Sequence, residues 1–310
     1  MRALITGAAG FVAPHLTAMV RSSGGDCVVG IDLRPMQVDL FDECRILDLT
    51  DMAATMHALA SVQPGAVYHL AGAVRGTADA IHASNVGTTA NLLTALRTVA
   101  PEAVLVLVGS AAEYGVVPAP LQPVAESFEG TPVSSYGVAK AEVSALALRA
   151  AMQGQRVVVV RPFNVLGSGV PDALVGGAIV HRLRAALAAA PPRTIRIGRT
   201  TAVRDFVAVE DVARGMVQAA ELGRPGEAYN LCSGEGHSVA ELLTRLLALA
   251  GEAVAVDEDP TLFRADDIDA LIGSRDKAKN ELSWEPTVSF DETVRSAWEG
   301  SGQAESVRDA

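Results

Sequence analysis

The sequence predicts an α/β protein with a doubly wound parallel sheet and a smaller C-terminal α/β cap. In the first half of the 310-residue chain, apolar runs of strand length alternate with segments of helical spacing. Unbroken apolar strands in this alternation are typical of a parallel sheet that is covered on both faces. After Arg161-Pro162 the chain is broken by glycines and prolines, which favours a smaller cap rather than more sheet.

The elements of the first half follow in order from these runs. Arg2 to Thr6 predicts a strand that ends in a glycine turn, and the spacing from Phe11 to Arg21 predicts the first helix. Further strands are predicted at Cys27–Ile31, Ala66–Leu70, Val104–Val108 and Val157–Val160. Helices between them are predicted near residues 52–61, 86–99 and 136–152.

The chain then divides into a sheet domain and a cap. We assign residues 1–163 to the sheet domain, with 205–228 returning to it, and residues 164–204 and 229–300 to the cap. Cap helices are predicted around 173–189 and 238–250. The polar tail, 301–310, is expected to be flexible.

Composition and charge exclude several classes of function. About half the residues are apolar, which suits a globular protein, and no run approaches the roughly 18 apolar residues of a membrane span. The first strand begins at Arg2 and leaves no room for a signal peptide, so a soluble cytoplasmic protein is expected. The net charge of −11 argues against binding to nucleic acid or an anionic membrane.

No metal site or disulfide framework is expected. Cys27, Cys44 and Cys232 are far apart and odd in number. The six histidines show no paired ligand spacing.

The glycine turn after the first strand indicates a dinucleotide site. Gly7 and Gly10 lie between strand and helix, where free amides and the helix dipole can meet a pyrophosphate, and Phe11 and Val12 follow them. Ala13 stands at the third position of the fingerprint, which admits alanine. By itself such a turn is often only a turn.

Asp32 strengthens this interpretation because it ends the second strand, about 20 residues after the turn. An acid there can bond the ribose 2′-hydroxyl and repels a 2′-phosphate, which favours NAD(H). Arg34, two residues later, keeps NADP(H) possible. The alternative for Asp32 is a turn residue at a strand end.

Tyr136 and Lys140 are four residues apart and therefore share one face of the predicted helix. A phenol with a pKa near ~10 needs nearby positive charge to exchange a proton at neutral pH, and Lys140 would supply that charge. Ser110 follows the strand ending at Val108, at the sheet edge where ligands lie, and could hold the same substrate oxygen. A serine there is also a common helix cap, and a tyrosine and lysine can simply be exposed on a helix.

From Met1 to about Pro286 the chain resembles the extended short-chain dehydrogenase/reductases that modify nucleotide sugars, the NAD-dependent epimerase/dehydratase family. Beyond the motifs above, the resemblance is carried by Asp48-Leu49, His69-Leu70-Ala71-Gly72, Asn85-Val86-Gly87-Thr88, Arg161-Pro162-Phe163-Asn164-Val165-Leu166-Gly167, Val203-Arg204-Asp205-Phe206-Val207 and Asp211-Val212. Within the family it is most similar to reductases of GDP-4-keto-6-deoxymannose, through Tyr229-Asn230-Leu231-Cys232-Ser233-Gly234, Arg264-Ala265-Asp266-Asp267-Ile268 and Leu271-Ile272-Gly273-Ser274.

The resemblance implies a Rossmann NAD(P)-binding domain, a homodimer, and a role for each matching residue. Catalysis would fall to Ser110, Tyr136 and Lys140. The cofactor would be bound by Gly7, Gly10, Phe11, Val12, Asp32, Leu33, Arg34, Asp48, Leu49, Leu70, Ala71, Ala73, Tyr136, Lys140 and Pro162. The nucleotide sugar would be bound by Asn164, Arg204, Arg264 and Asp267.

Charge in the cap agrees with an anionic substrate. Arg193, Arg196, Arg199 and Arg204 are expected to concentrate positive charge for a pyrophosphate, although a structural salt bridge is the alternative for Arg204 and Arg264, and others would be solvated surface.

The sequence is compatible with more than one reaction of a nucleotide sugar. Sugar 4,6-dehydratases of the family have a glutamate where this chain has Ala112, and Glu113 is one residue away and would point elsewhere, so elimination is disfavoured. Reduction of a 4-keto-6-deoxy nucleotide sugar is the preferred function. A 4-epimerase with retained NAD is the alternative, because Asp32 favours NAD. The segment Ala173-Leu174-Val175-Gly176-Gly177 departs from GDP-sugar relatives, which leaves open a base other than guanine. A non-catalytic dinucleotide-binding regulator is disfavoured by the intact tyrosine and lysine.

Overall fold

The computed structural model describes residues 2–263 and 268–300. The strands are β1 (Arg2–Thr6), β2 (Cys27–Asp32), β3 (Glu43–Ile46), β4 (Ala66–His69), β5 (Val104–Val108), β6 (Val157–Pro162), β7 (Asn164–Leu166), β8 (Thr194–Ile197), β9 (Val203–Arg204), β10 (Phe206–Ala208), β11 (Ala228–Leu231), β12 (His237–Ser238), β13 (Ala255–Glu258) and β14 (Ala270–Leu271). The helices are α1 (Ala13–Ser22), α2 (Met52–Val62), α3 (Ala78–His82), α4 (Thr88–Val99), α5 (Ser135–Met152), α6 (Val175–Ala188), α7 (Val209–Leu222), α8 (Val239–Ala250), α9 (Asp276–Leu282) and α10 (Phe290–Gly300).

Seven strands in the described part of the chain form one parallel sheet in the order β11-β6-β5-β4-β1-β2-β3. The order reverses beside β1, which pairs with β2 on one side and with β4 on the other. Ligands of doubly wound sheets bind in the crevice at the carboxyl ends of the strands at such a reversal. The predicted fold class is confirmed.

Helices cover both faces of this sheet because successive strand residues point to opposite sides. Ala3 and Ile5 lie in a core formed with α1 and α7, whereas Leu4 lies in a second core formed with α2, α4 and α5. The predicted helices near 52–61, 86–99 and 136–152 correspond to α2, α4 and α5.

In the part of the chain that the structure describes, the cap is built on short strand pairs and three helices. Strand β7 pairs with β10, β8 pairs with β13, and β9 lies between β12 and β14. The predicted cap helices correspond to α6 and α8, and they share a core with α10 through Leu183, Leu242 and Val294. No described helix is long and apolar enough to cross a membrane.

The boundary at residue 229 differs between the predicted division and the structure. Strand β11 pairs in parallel with β6 as the last strand of the large sheet, and Tyr229 and Leu231 are fully buried in its core. Trp284 also packs into this core and donates a hydrogen bond from Nε1 to the carbonyl of Asp211. Because these large side chains are buried in the core of the sheet domain, strand β11 and the segment around Trp284 belong to that domain. The sequence-based division placed both of them in the cap. The predicted tail, 301–310, lies outside the described residues.

Candidate active site at the carboxyl ends of the strands

The glycine turn lies directly against the loop that follows β4. Gly7 has a φ of 71°, in the left-handed region that favours glycine, and a Cβ atom there would lie 2.7 Å from the amide nitrogen of Ala71. The amide of Gly10 donates a 2.9 Å hydrogen bond to the carbonyl of Gly7. A Cβ atom at residue 10 would lie 2.9 Å from the same carbonyl oxygen, so neither position has room for a side chain. The turn therefore fits the close approach of a dinucleotide phosphate.

Asp32 lies beside this turn at the end of β2 and is only 8% exposed. One carboxylate oxygen accepts a 2.9 Å hydrogen bond from the amide of Ala9, and the other accepts from the amide of Arg34. Leu33 is exposed, and the Arg34 guanidinium reaches back to Asp32 at 3.4 Å. The Asp32 carboxylate and the Arg34 guanidinium thus lie together beside the glycine turn. A dinucleotide whose pyrophosphate lies at that turn would have its adenosine ribose near them.

The other predicted cofactor residues surround the same strand ends. Leu70 and Ala71 follow β4 and donate backbone hydrogen bonds to the carbonyl and the hydroxyl of Thr6. Ala73 donates to Ser84 Oγ. After β3, Asp48 is exposed and accepts hydrogen bonds from the amide and hydroxyl of Thr50, whereas Leu49 is buried.

Three further predicted cofactor residues serve in packing. Phe11 packs against the cap core, Val12 against the core beneath α1, and Pro162 is buried at the end of β6 opposite Leu231. Phe11 thereby connects the glycine turn to the cap.

Ser110 is a helix cap at the end of β5. Its Oγ accepts a 3.1 Å hydrogen bond from the amide of Ala112 at the start of a 3₁₀ turn, Ala111–Glu113. Because the oxygen is the acceptor in this bond, the hydroxyl proton remains available for another partner. Capping and an interaction with a ligand are therefore compatible roles for this serine.

Tyr136 and Lys140 lie on one face of α5, whose first turn is capped by Ser134. Lys140 is 5% exposed and donates from Nζ to the carbonyl of Val108 at 2.8 Å. Its Nζ is 5.7 Å from the centre of the Tyr136 ring. Since Val108 ends β5 just before Ser110, the structure brings the serine, the tyrosine and the lysine to one place.

Burial controls the protonation of this group. It raises the pKa of Tyr136 to about 12, against an opposing effect of the hydrogen bond with Ser110, and it lowers the pKa of Lys140 to about 8, against the attraction of Glu113. At neutral pH the tyrosine is therefore a phenol with a proton to give, and the lysine is charged.

Glu113 was not predicted as a site residue. It is 4% exposed, and its carboxylate accepts hydrogen bonds from the amide of Ser110, Oγ of Ser144 and Nε of Arg161. Its carboxylate is therefore engaged with three partners within the protein. Its sequence context offered little signal, because Arg161 is 48 residues away along the chain.

His69 is another buried polar group beside the site. It is bonded to Thr6 at 2.7 Å, and burial, with the nearby charge of Lys140, lowers its pKa to about 3. A histidine that stays neutral here is a structural partner of the β1 and β4 strand ends. Among the described residues, no group of three or more His, Cys, Asp or Glu side chains is arranged to hold a metal ion.

The cap contributes two of the predicted substrate residues. Asn164 donates from its side-chain amide to the carbonyl of Asp205 at 3.1 Å. Arg204 donates to the carbonyls of Val203 and Ile268 at 2.9 and 2.7 Å. Both are half-buried on short strands, Asn164 on β7 and Arg204 on β9. The predicted residues Arg264 and Asp267 lie outside the described residues.

The expected concentration of positive charge in the cap is not found at three of its arginines. Arg193 pairs with Glu252, Arg196 pairs with Asp259, and Arg199 pairs with Asp269 at 2.6 Å. Each guanidinium is matched by a carboxylate from a distant part of the chain, so its charge is largely neutralised within the cap.

Residues 3–232 match the model of the NAD dependent epimerase/dehydratase family. The chain belongs to this family. The match spans the glycine turn, Ser110, Tyr136 and Lys140, and the chain is accordingly an enzyme of the extended short-chain dehydrogenase/reductase type.

Individual members of the family that resemble the chain differ in activity. GDP-6-deoxy-D-mannose reductase of Pseudomonas aeruginosa is 27% identical over 96% of this chain and 97% of its own length. The UDP-glucose 4-epimerase of Thermus thermophilus, solved with NAD, superimposes with a TM-score of 0.85 at 26% identity, over 97% and 98% of the two chains. The Pseudomonas aeruginosa protein RMD, solved with NADPH, superimposes with a TM-score of 0.82 at 25% identity, over 98% and 99%.

Proposed function

We propose that this enzyme reduces a 4-keto-6-deoxy nucleotide sugar, similar to GDP-4-keto-6-deoxymannose, by hydride transfer to C4. The observation that carries the proposal is the convergence of Ser110, Tyr136 and Lys140 at the strand ends beside the glycine turn. Ala112 stands where elimination would need a carboxylate, and Glu113 is bound to Arg161. This arrangement favours interconversion of a carbonyl and an alcohol over loss of water.

The chain's residues would act on the oxygen at C4 of the sugar. A bound nicotinamide supplies the hydride. Tyr136 donates its phenolic proton to the C4 oxygen, and the Ser110 hydroxyl donates a hydrogen bond that orients the same oxygen. The charge of Lys140 near the ring stabilises the phenolate that remains. Because burial raises the pKa of Tyr136, that stabilisation is needed for the step to be fast.

NAD(H) is the favoured cofactor, with NADP(H) possible. Gly7 and Gly10 would receive the pyrophosphate. Asp32 would accept from the ribose hydroxyls with further lone pairs of its carboxylate, beside its bonds to the amides of Ala9 and Arg34. A 2′-phosphate would be repelled by Asp32 and attracted by Arg34. Relatives solved with NAD and with NADPH are consistent with either outcome.

The nucleotide sugar would lie between the strand ends and the cap. Asn164 and Arg204 would contact its diphosphate, for which Arg204 would supply positive charge at the end of β9. The roles of Arg264 and Asp267 and a homodimeric state rest on the family resemblance, whereas a cytoplasmic location rests on the sequence alone; all of these remain predictions.

A 4-epimerase with retained NAD is the second candidate, and Asp32 is the observation in its favour. The carboxylate ends β2 beside the glycine turn, as expected for NAD, and an epimerase that returns the hydride to its own substrate suits NAD. The same Ser110, Tyr136 and Lys140 would then move a proton in both directions.

One experiment separates the two reactions. The purified protein is analysed for bound nucleotide and is then incubated with GDP-, UDP- and dTDP-sugars and their 4-keto derivatives, with and without NADH or NADPH. Stoichiometric consumption of NAD(P)H with formation of a 4-hydroxy sugar supports the reductase. Tightly bound NAD that is not consumed, together with inversion at C4, contradicts it and supports the epimerase.

A further inference from the structure

We propose that Glu113 is a positioning residue that fastens the Ser110 loop to the face of α5 carrying Tyr136 and Lys140. This inference rests on the proposed function, because the distance from serine to tyrosine matters only if both act on one oxygen. The residue touches neither cofactor nor substrate in this proposal. It acts through the groups that it holds.

The two oxygens of the Glu113 carboxylate bridge the two parts of the site. Oε1 accepts a 2.8 Å hydrogen bond from the amide of Ser110, and Oε2 accepts a 2.7 Å hydrogen bond from the hydroxyl of Ser144. Ser144 lies four residues after Lys140, which lies four residues after Tyr136, so all three share one face of α5. A movement of Ser110 relative to Tyr136 would have to break one of these bonds.

Arg161 on β6 forms an ion pair with the Glu113 carboxylate. Its Nε donates to Glu113 at 2.9 Å, and its Nη1 donates to the hydroxyl of Tyr114, which in turn donates to Asn230 on β11. Burial of such an ion pair costs desolvation energy that its attraction rarely repays. Fixed geometry at the strand ends, rather than stability, is the evident gain from burying this pair.

Gly109 makes room for the carboxylate. A Cβ atom at residue 109 would lie 2.3 Å from Oε1 of Glu113, so a side chain would push the carboxylate away from Ser110. The backbone of Gly109 is outside the positive-φ region, and alanine can adopt its conformation. Gly109→Ala therefore displaces the carboxylate without removing its charge.

The test uses the full chain and the turnover assay above. Ser144→Ala removes one bond of the bridge, Ser144→Thr restores a hydroxyl, and Gly109→Ala displaces the carboxylate. Thr244→Ala is the matched control, because its exposed hydroxyl bonds to the carbonyl of Ala240 within α8. Two further readouts are NADH binding by fluorescence and hydrogen–deuterium exchange of a peptide covering residues 109–114.

We expect kcat to fall about 10-fold in Ser144→Ala and Gly109→Ala, since small misplacements of catalytic groups are costly, while KM and the NADH Kd stay near the wild-type values. Ser144→Thr should recover most of kcat, and exchange at residues 109–114 should quicken in both impaired variants. If kcat of both variants matches that of Thr244→Ala, or if exchange is unchanged, the proposal is overturned. Absence of turnover in the wild type would contradict the proposed function instead, and exchange would still decide whether the bridge exists.

Discussion

The proposed catalytic groups at the end of β5 and on α5 are held by buried partners of the sheet domain. In the cap, by contrast, three arginines lie in ion pairs that each have at least one exposed side chain, and Arg204 is held by backbone carbonyls. Lys140 is anchored on Val108, and Ser110 is capped and bound by Glu113. In the cap, Arg193 and Arg196 are paired with Glu252 and Asp259. In the proposed reaction, the catalytic groups are therefore pre-organised on the sheet side, and the charge of the substrate must compete with internal partners on the cap side.

The largest effect is expected at the proton donor of the sheet side. Tyr136→Phe removes the phenolic hydroxyl and should lower kcat by about 10²–10⁴-fold, the usual contribution of a positioned acid. NADH binding, measured by fluorescence, should be retained because the ring stays in place. Undiminished turnover of the nucleotide-sugar panel would contradict the role of Tyr136 as the proton donor.

Lys140→Met should lose activity and gain stability. Burial lowers the pKa of Lys140 from 10.5 to about 8, so the charged lysine disfavours the folded state by about 3 kcal/mol below pH 8, and that cost disappears as the pH rises through 10.5. Loss of the hydrogen bond to Val108 offsets about 1 kcal/mol of this gain.

Urea denaturation measures this effect at two pH values. The free energy of unfolding should be about 1–3 kcal/mol higher for Lys140→Met than for wild type at pH 7, and the difference should shrink by pH 10.5. A variant less stable than wild type at pH 7 would show that the lysine is a stabilising anchor of the sheet side.

On the cap side, Arg204→Ala should act mainly on substrate binding. A guanidinium that bonds a diphosphate contributes roughly 1.5–3 kcal/mol, so KM should rise about 10- to 100-fold with a smaller change in kcat. Steady-state kinetics measure both constants. A fall in kcat with KM unchanged would instead place Arg204 with the catalytic groups.

The smallest effect is expected for Arg196→Ala. This side chain is 65% exposed, so its pairing with Asp259 is screened by solvent. The Asp259 carboxylate also accepts hydrogen bonds from the amide and the hydroxyl of Thr261, and it keeps these partners when the arginine is removed. The free energy of unfolding should change by less than about 0.5 kcal/mol, and KM should remain near the wild-type value. A KM shift like that of Arg204→Ala would mean that the pair opens to bind substrate.

The strands of the sheet centre were predictable because burial on both faces demands continuous apolar residues, as in Val104–Val108. Edge strand β3, Glu43–Ile46, has alternating charge and carries no such signal. Helix α10 also escaped prediction, although its Val294 and Ala297 are fully buried. Its apolar positions are few and become recognisable only against α6 and α8.

The candidate site shows the same limit. Tyr136 and Lys140 were predictable together because both lie within one helical turn. The partners of Glu113 and Arg196 are 48 and 63 residues away along the chain. Local sequence cannot indicate ion pairs that only the tertiary fold brings together. For this reason, the number of arginines in the cap sequence overstated the positive charge that is available to a substrate.

Strand β11 is synthesised long after its partner β6, and this order has a consequence for the nascent chain. Strand β6 emerges from the ribosome about 70 residues before its outer neighbour, and until then its edge offers unpaired backbone groups flanked by valines. A nascent chain of this length is open to pairing with another copy. Truncated forms that end before residue 228 should therefore aggregate, and the order in which segments leave the ribosome becomes part of what keeps the enzyme productive.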